Sequence, residues 1–211
     1  VRALRKQWDR CFETLSLRAP DGVFETLVAR YSEAHRAYHT LQHIEECFAQ
    51  FDRVHGARAP GEVGLALWFH DAIYDPRASD NEARSAEWAR AVLVESGAPA
   101  TTIEAVERLI LATQHDATPQ DHDAQIVVDI DLSILGADEN RFQEYEVQVR
   151  REYQWVEENA FRRGRTDVLQ AFLNRPFIYS TADFRARLGA SARSNLTRSI
   201  AALSGDSTTR N

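Results

Sequence analysis

Little in this chain invites covalent cross-linking or membrane insertion. Only two of its 211 residues are cysteine, Cys11 and Cys47, both in stretches with helical periodicity. That excludes a disulfide framework and gives no spacing for a thiolate zinc site. No apolar run approaches the roughly 18 to 20 residues that a membrane span needs. The opening VRALRKQWDRCFETL carries charge where a signal peptide is apolar. These absences predict a protein of the reducing cytoplasm with no membrane partner. Lysine is nearly missing too, Lys6 being alone, so that positive charge comes from arginine. The formal net charge of -7 disfavours a nucleic acid duplex as partner. There is no internal repeat, low-complexity tract or linker.

What is present is apolar residue in quantity, 44% of the chain, enough for one well-packed core and hence a single domain over 1–211. Apolar residues recur at three- and four-residue spacing, as in Leu41, Ile44, Phe48 and Phe51, which is the stripe of a helix resting on a core. Breakers at Arg18 to Gly22, Gly56 to Gly61, Asp75 to Asp80, Gly97 to Ala100 and Asp116 to Asp123 divide the chain into about eight to ten helices. Asp80 is expected to cap one helix, and Thr101 with Glu104 forms a capping-box pattern for the next. Residues Asp138 to Arg163 predict one long amphipathic helix ending near Gly164, and the C-terminal SGDSTTRN predicts a frayed end.

The segment AQIVVDIDLSIL, Ala124 to Leu135, resists a local reading. It is β-branched and nearly continuous, which by propensity is a buried strand. On a strand Asp129 and Asp131 share a face, whereas on a helix they lie about 200° apart.

Ionisable residues sit where burial makes them costly. His70 and Asp71 lie inside LALWFHDAIY, apolar on every side. An unpaired carboxylate there costs at least several kcal/mol, so a proton, a cationic side chain or a metal ion must neutralise it. In YHTLQHI, His39 and His43 stand four apart and are expected on one helical face. Asp129 and Asp131 form another carboxylate pair among apolar neighbours. Histidine, histidine-aspartate and aspartate from three stretches make a four-ligand set that leaves room for water and substrate.

YHTLQHI, WFHDAIYD followed by DNEARSA, and DIDLSILG, in this order, resemble the HD superfamily of metal-dependent phosphohydrolases. Within it the chain looks most like a group of compact bacterial proteins, with similarity running on through EYQWV, GRTDVL and ARSNL, from about Tyr31 to Leu196. The resemblance implies an all-α, single-domain helical bundle of the HD-domain and phosphodiesterase type. Its motif core would span about 31–136, with C-terminal helices at about 138–203 packing on it. It implies metal ligation by His43, His70, Asp71 and Asp131, the DLS that follows favouring Asp131 over Asp129. It implies that His39 protonates the leaving oxygen and that Asp71 bridges if a second ion binds. His115 and His122 lie where some relatives supply further histidines. Asn81 and Glu82 follow the dyad where relatives carry polar groups, Glu82 being placed to orient water or a ligand histidine. Arg36 and Arg165 are the candidates for substrate phosphate, because arginine suits bidentate phosphate contacts.

The expected activity is hydrolysis of a phosphomonoester or phosphodiester, a nucleotide among the candidates, with one or two divalent ions (Mn, Mg, Fe, Zn or Ni). The alternatives are a di-iron oxygenase on the same scaffold and a non-catalytic module that binds a nucleotide or metal. Plainer readings stand beside these: His35 and His55 as structural or exposed, His122 as an exposed loop residue, and Trp68, Phe69 and Tyr74 as core. Glu82 would then be a first-turn acid, Arg36 and Arg165 surface ion pairs, and RRGR at Arg162 to Arg165 a solvated helix end.

Overall fold

A computed structural model describes residues 1–205 and is helical throughout, with no strand among the described residues. Ten α-helices and two short 3₁₀ turns fall into two compact units, one holding Val1–Asp131 and one beginning at Leu132. No helix among the described residues is long and apolar enough to cross a membrane.

The first unit is built round α4 (Pro60–Phe69), buried on every side from Gly61 to Phe69 save Glu62. A helix with no polar face must be enclosed. Helices α1 (Arg2–Thr14), α3 (Leu41–Phe51), α5 (Asn81–Glu95), α6 (Ala100–Leu111) and α7 (His122–Asp131) all pack against it, while α2 (Val23–Arg30) brings Phe24 to the aromatic layer. In that layer the Trp68 ring meets Trp8 at 5.7 Å, Phe24 at 5.7 Å and Phe48 at 5.4 Å between centroids. Pro60 occupies the first turn of α4, and the buried Asp123 carboxylate accepts the N–H groups of Arg58 at 2.9 Å and Ala59 at 2.8 Å just ahead of it.

Residues 124–135 are not a strand. They form most of α7 and the 3₁₀ turn Leu132–Gly136 that follows, opened by Asp121, whose carboxylate accepts the Ala124 N–H at 3.0 Å. The β-branched run reflects burial on nearly every face of a helix rather than sheet pairing, tertiary context overriding propensity. Two capping expectations also change. Asp80 precedes α5 but makes no side-chain cap bond, and α6 starts at Ala100, so Thr101 is a first-turn residue and no capping box forms. The carbonyl of Pro99 begins α6 instead, accepting from Thr102 at 3.0 Å and Ile103 at 3.1 Å.

In the second unit the single helix expected over 138–163 is two, α8 (Glu139–Glu152) and α9 (Glu158–Asn174). Arg150 holds the break, donating to the carbonyls of Tyr153 at 2.7 Å and Val156 at 3.2 Å, and Glu157 caps α9 through the Ala160 N–H. Gly164 therefore lies inside α9, where a Cβ would meet only open space. RRGR is likewise mid-helix, and Arg162 donates to the Leu203 carbonyl of α10 (Ala182–Gly205). Of SGDSTTRN, Ser204 and Gly205 finish α10 and the remainder lies outside the described residues.

Gly64 lies against α1: a Cβ there would overlap the Cys11 Sγ. Gly64→Ala should therefore lower the denaturant-derived stability by about 1–3 kcal/mol, and Cys11→Ala in the same chain should recover part of the loss. Equal stability of the single variant and the wild type would show that the two helices yield freely.

Candidate metal centre

Three segments of the first unit bring ionisable groups together at the end of α4. His70 terminates α4 and Asp71 follows it, His43 stands in the first turn of α3, and Asp131 is the last residue of α7. One donor atom from each lies within 4.8 Å of all the others. His43 Nε2 is 3.0 Å from His70 Nε2, 3.5 Å from Asp71 Oδ2 and 3.3 Å from Asp131 Oδ1. His70 Nε2 is 3.0 Å from Asp71 Oδ2 and 3.6 Å from Asp131 Oδ1. Donors bonded to one ion at about 2.0–2.2 Å stand roughly 2.8–3.6 Å from each other, from octahedral to tetrahedral geometry, so these separations fit a shared cation.

Orientation supports the same fit. His70 Nδ1 donates to the Leu67 carbonyl at 3.0 Å, one turn back along α4, and this leaves Nε2 aimed into the group. Both histidines are buried, and the side chains of Asp71 and Asp131 are only 14% and 15% exposed. Burial alone would raise the carboxyl pKa of Asp71, but His70, His39 and His43 outweigh it and hold it far below the usual range. Asp131 is held well below its usual value in the same way, against burial, by His115, His43 and His70. For His70 burial acts downward, yet the Asp71 and Asp131 carboxylates carry the imidazole well above its ordinary pKa. The described residues thus contain a buried group that can hold a metal ion, with mixed nitrogen and oxygen donors suited to borderline divalent cations.

Helix phase separates the two aspartates of α7. Asp131 enters the group, while Asp129, fully buried, lies outside it. His39 does not share a helical face with His43, because α3 begins only at Leu41 behind the Thr40 cap. It lies in the preceding turn, half-buried, with its ring stacked on Tyr74 at 4.1 Å and edge-on to His43 at 6.1 Å. Tyr74, expected in the core, is half-buried beside this ring. Glu82, in the first turn of α5, has its carboxyl pKa raised by burial and further by Asp71 and Asp131, against its own backbone N–H and His115.

Both arginines expected to hold phosphate are otherwise engaged. Arg36 is buried, and its guanidinium donates to Glu33 at 3.2 Å and to the carbonyls of His39, Asp71 and Ala72 at 3.1, 2.7 and 3.1 Å. Arg165 belongs to the second unit, where it pairs with Glu146 and lies over the Tyr145 ring at 5.0 Å. Asn81 spends its side chain on the main chain of Asp75, 2.9 Å to the carbonyl and 3.0 Å from the N–H. His35 donates to the Tyr74 carbonyl at 2.8 Å, His55 is exposed, and His122 opens α7, half-buried and outside the group.

Two neighbours of the group exceed the sequence expectation. His115 reaches the other oxygen of Asp131, Nε2 to Oδ2 at 2.9 Å, from a backbone at φ 60 that a non-glycine residue rarely adopts. Cys47, one helical turn after His43, places Sγ 3.6 Å from His43 Nε2. Burial, with Asp131 and Asp71, raises this thiol well above its ordinary pKa, and with His43 and His70 it forms a second buried group that could hold a metal ion. For Cys47 the i, i+4 spacing from His43 was the visible signal; for His115 it was its place between the histidine-aspartate dyad and the last aspartate.

A cation must displace the proton that the two carboxylates keep on His70. Divalent-ion affinity should therefore strengthen by up to about tenfold per pH unit until the pH passes the raised pKa of that imidazole, and then level off. Calorimetric titration across mildly acidic to alkaline buffers measures the slope; a flat profile would mean that His70 carries no proton to displace.

Compared with models of protein families, with curated proteins and with solved structures, the chain gives no match in any of the three.

Proposed function

We propose that this chain is a metal-dependent phosphohydrolase of the HD type, acting on a phosphomonoester or phosphodiester. The observation that carries the reading is the convergence of His43, His70, Asp71 and Asp131 from three stretches of sequence into one group whose donor atoms could hold a cation. A divalent ion held there would polarise a phosphoryl oxygen and lower the pKa of a water molecule.

The chain's own groups divide the remaining work. Asp71 and Asp131, their carboxyl pKa values held low by the surrounding imidazoles, would supply the negative charge that a cation needs. The Leu67 carbonyl keeps the His70 ring from turning. His39, outside the donor set and steadied on Tyr74, is placed to give a proton from its imidazole to the departing alkoxide oxygen. Glu82, its carboxyl pushed up by burial on the first turn of α5, would take or return a proton. Arg36 and Arg165, both engaged by protein acceptors, are not assigned to phosphate in this reading.

His115 on the second oxygen of Asp131 favours one further reading, a two-iron oxygenase on the same residues. Two irons per chain with oxygen-dependent turnover would select it.

The test is metal analysis of protein purified without chelator, then a screen of nucleotides and generic phosphoesters with several divalent ions. His70→Ala and Asp71→Ala should each lose metal and phosphate release; activity that survives both defeats the proposal. His39→Ala should keep its metal and slow by roughly 10²–10⁴-fold. Loss of metal from that variant would make His39 a ligand.

A further inference from the structure

Arg36 is an arginine whose side chain has no exposure at all, set between two tyrosine rings, with its guanidinium carbon 5.1 Å from the centre of Tyr31 and 5.4 Å from that of Tyr74. A buried guanidinium is costly unless its N–H groups are satisfied. Here they are satisfied by main-chain carbonyls belonging to two distant parts of the chain. Nη1 donates to His39 at 3.1 Å and to Asp71 at 2.7 Å, and Nη2 donates to Ala72 at 3.1 Å. Glu33, at 3.2 Å from Nε, supplies the counter-charge.

We propose that Arg36 is the positioning residue of the metal centre, a rigid planar link that sets the distance between the turn leading into α3 and the turn after α4. The inference rests on the metal reading given above and adds a residue to it. His39 adjoins Thr40, the cap of α3, so fixing the His39 carbonyl fixes where that helix starts and hence where His43 points. The Asp71 carbonyl belongs to a ligand residue itself. One guanidinium therefore governs the geometry between donors that lie 27 and 28 positions apart in sequence, His43 to His70 and Asp71. Lysine cannot substitute, since its ammonium is a point charge without a planar fork to span both turns.

The test measures Co(II) affinity of the full chain by visible absorption, with thermal unfolding followed in parallel, for the wild type, Arg36→Ala and Arg36→Lys. Both variants should bind roughly 10–100-fold more weakly than the wild type, the range seen when groups that orient metal ligands are lost. Methylguanidinium, kept below the concentration that shifts unfolding, should restore most of the affinity of Arg36→Ala and none of that of Arg36→Lys. Should Arg36→Ala not fold, Arg36→Lys carries the comparison. Wild-type affinity in either folded variant overturns the proposal, and so does a weakening that methylguanidinium leaves untouched in a folded Arg36→Ala. If neither variant folds, Arg36 is a determinant of folding and not of position, which overturns it as well. A wild type that binds no divalent ion defeats the metal reading first, an outcome distinct from all of these.

Discussion

Opposite charges buried side by side are what the first unit is organised around. Helix α4 is enclosed on nearly all sides, so the residues just past its end have no water to turn to and must answer one another. Asp71 left alone in that setting would cost several kcal/mol, as would a protonated His70. Together with His43 and Asp131 they become tolerable, each carboxylate holding an imidazole and each imidazole holding a carboxylate. The last carbonyls of α4 add partial negative charge at the same end, which favours a cation there, whether imidazolium or metal. The long-range placement of α3 and α7 against α4 is thus tied to electrostatics as much as to apolar packing.

The surroundings show how such a group is kept in register. Leu67 orients one imidazole, Arg36 braces two turns, and Tyr74 supports His39. In the same unit the Trp68 ring of α4 packs against Trp8, Phe24 and Phe48 in tilted and edge-on contacts.

Much of this was legible in the sequence. Burial of His70 and Asp71 followed from the apolar run around them, and the helix boundaries near residues 75–80, 97–100 and 116–123 followed from glycine, proline and aspartate. Other features depended on direction, which periodicity does not carry. Asp131 and Asp129 are chemically identical, and only the phase of α7 sends the former into the group. Strand propensity pointed the other way, because Ile126 to Ile130 is buried on so many sides that a helix there looks like a sheet interior. Arg36 adjoins the first motif as a phosphate ligand would, but what decides its role is a set of carbonyls 35 and 36 residues away. The break between α8 and α9 escaped notice for a related reason: the aromatic pattern runs on across it, and the chain turns because Arg150 finds two carbonyls.

The donors of the metal centre come from positions 43, 70, 71 and 131, so no short fragment of the chain brings them together. An unfolded polypeptide would have to close loops of about 27 and 60 residues to gather them, an entropic demand met in full only by the native arrangement. Any cation taken up there is therefore a ligand of the folded state alone, and by mass action its binding energy is lent to folding, about 2.7 kcal/mol at a concentration one hundred times the dissociation constant. Such an ion would act as a clasp on the first unit, and a chelator would then be a denaturant acting at one point.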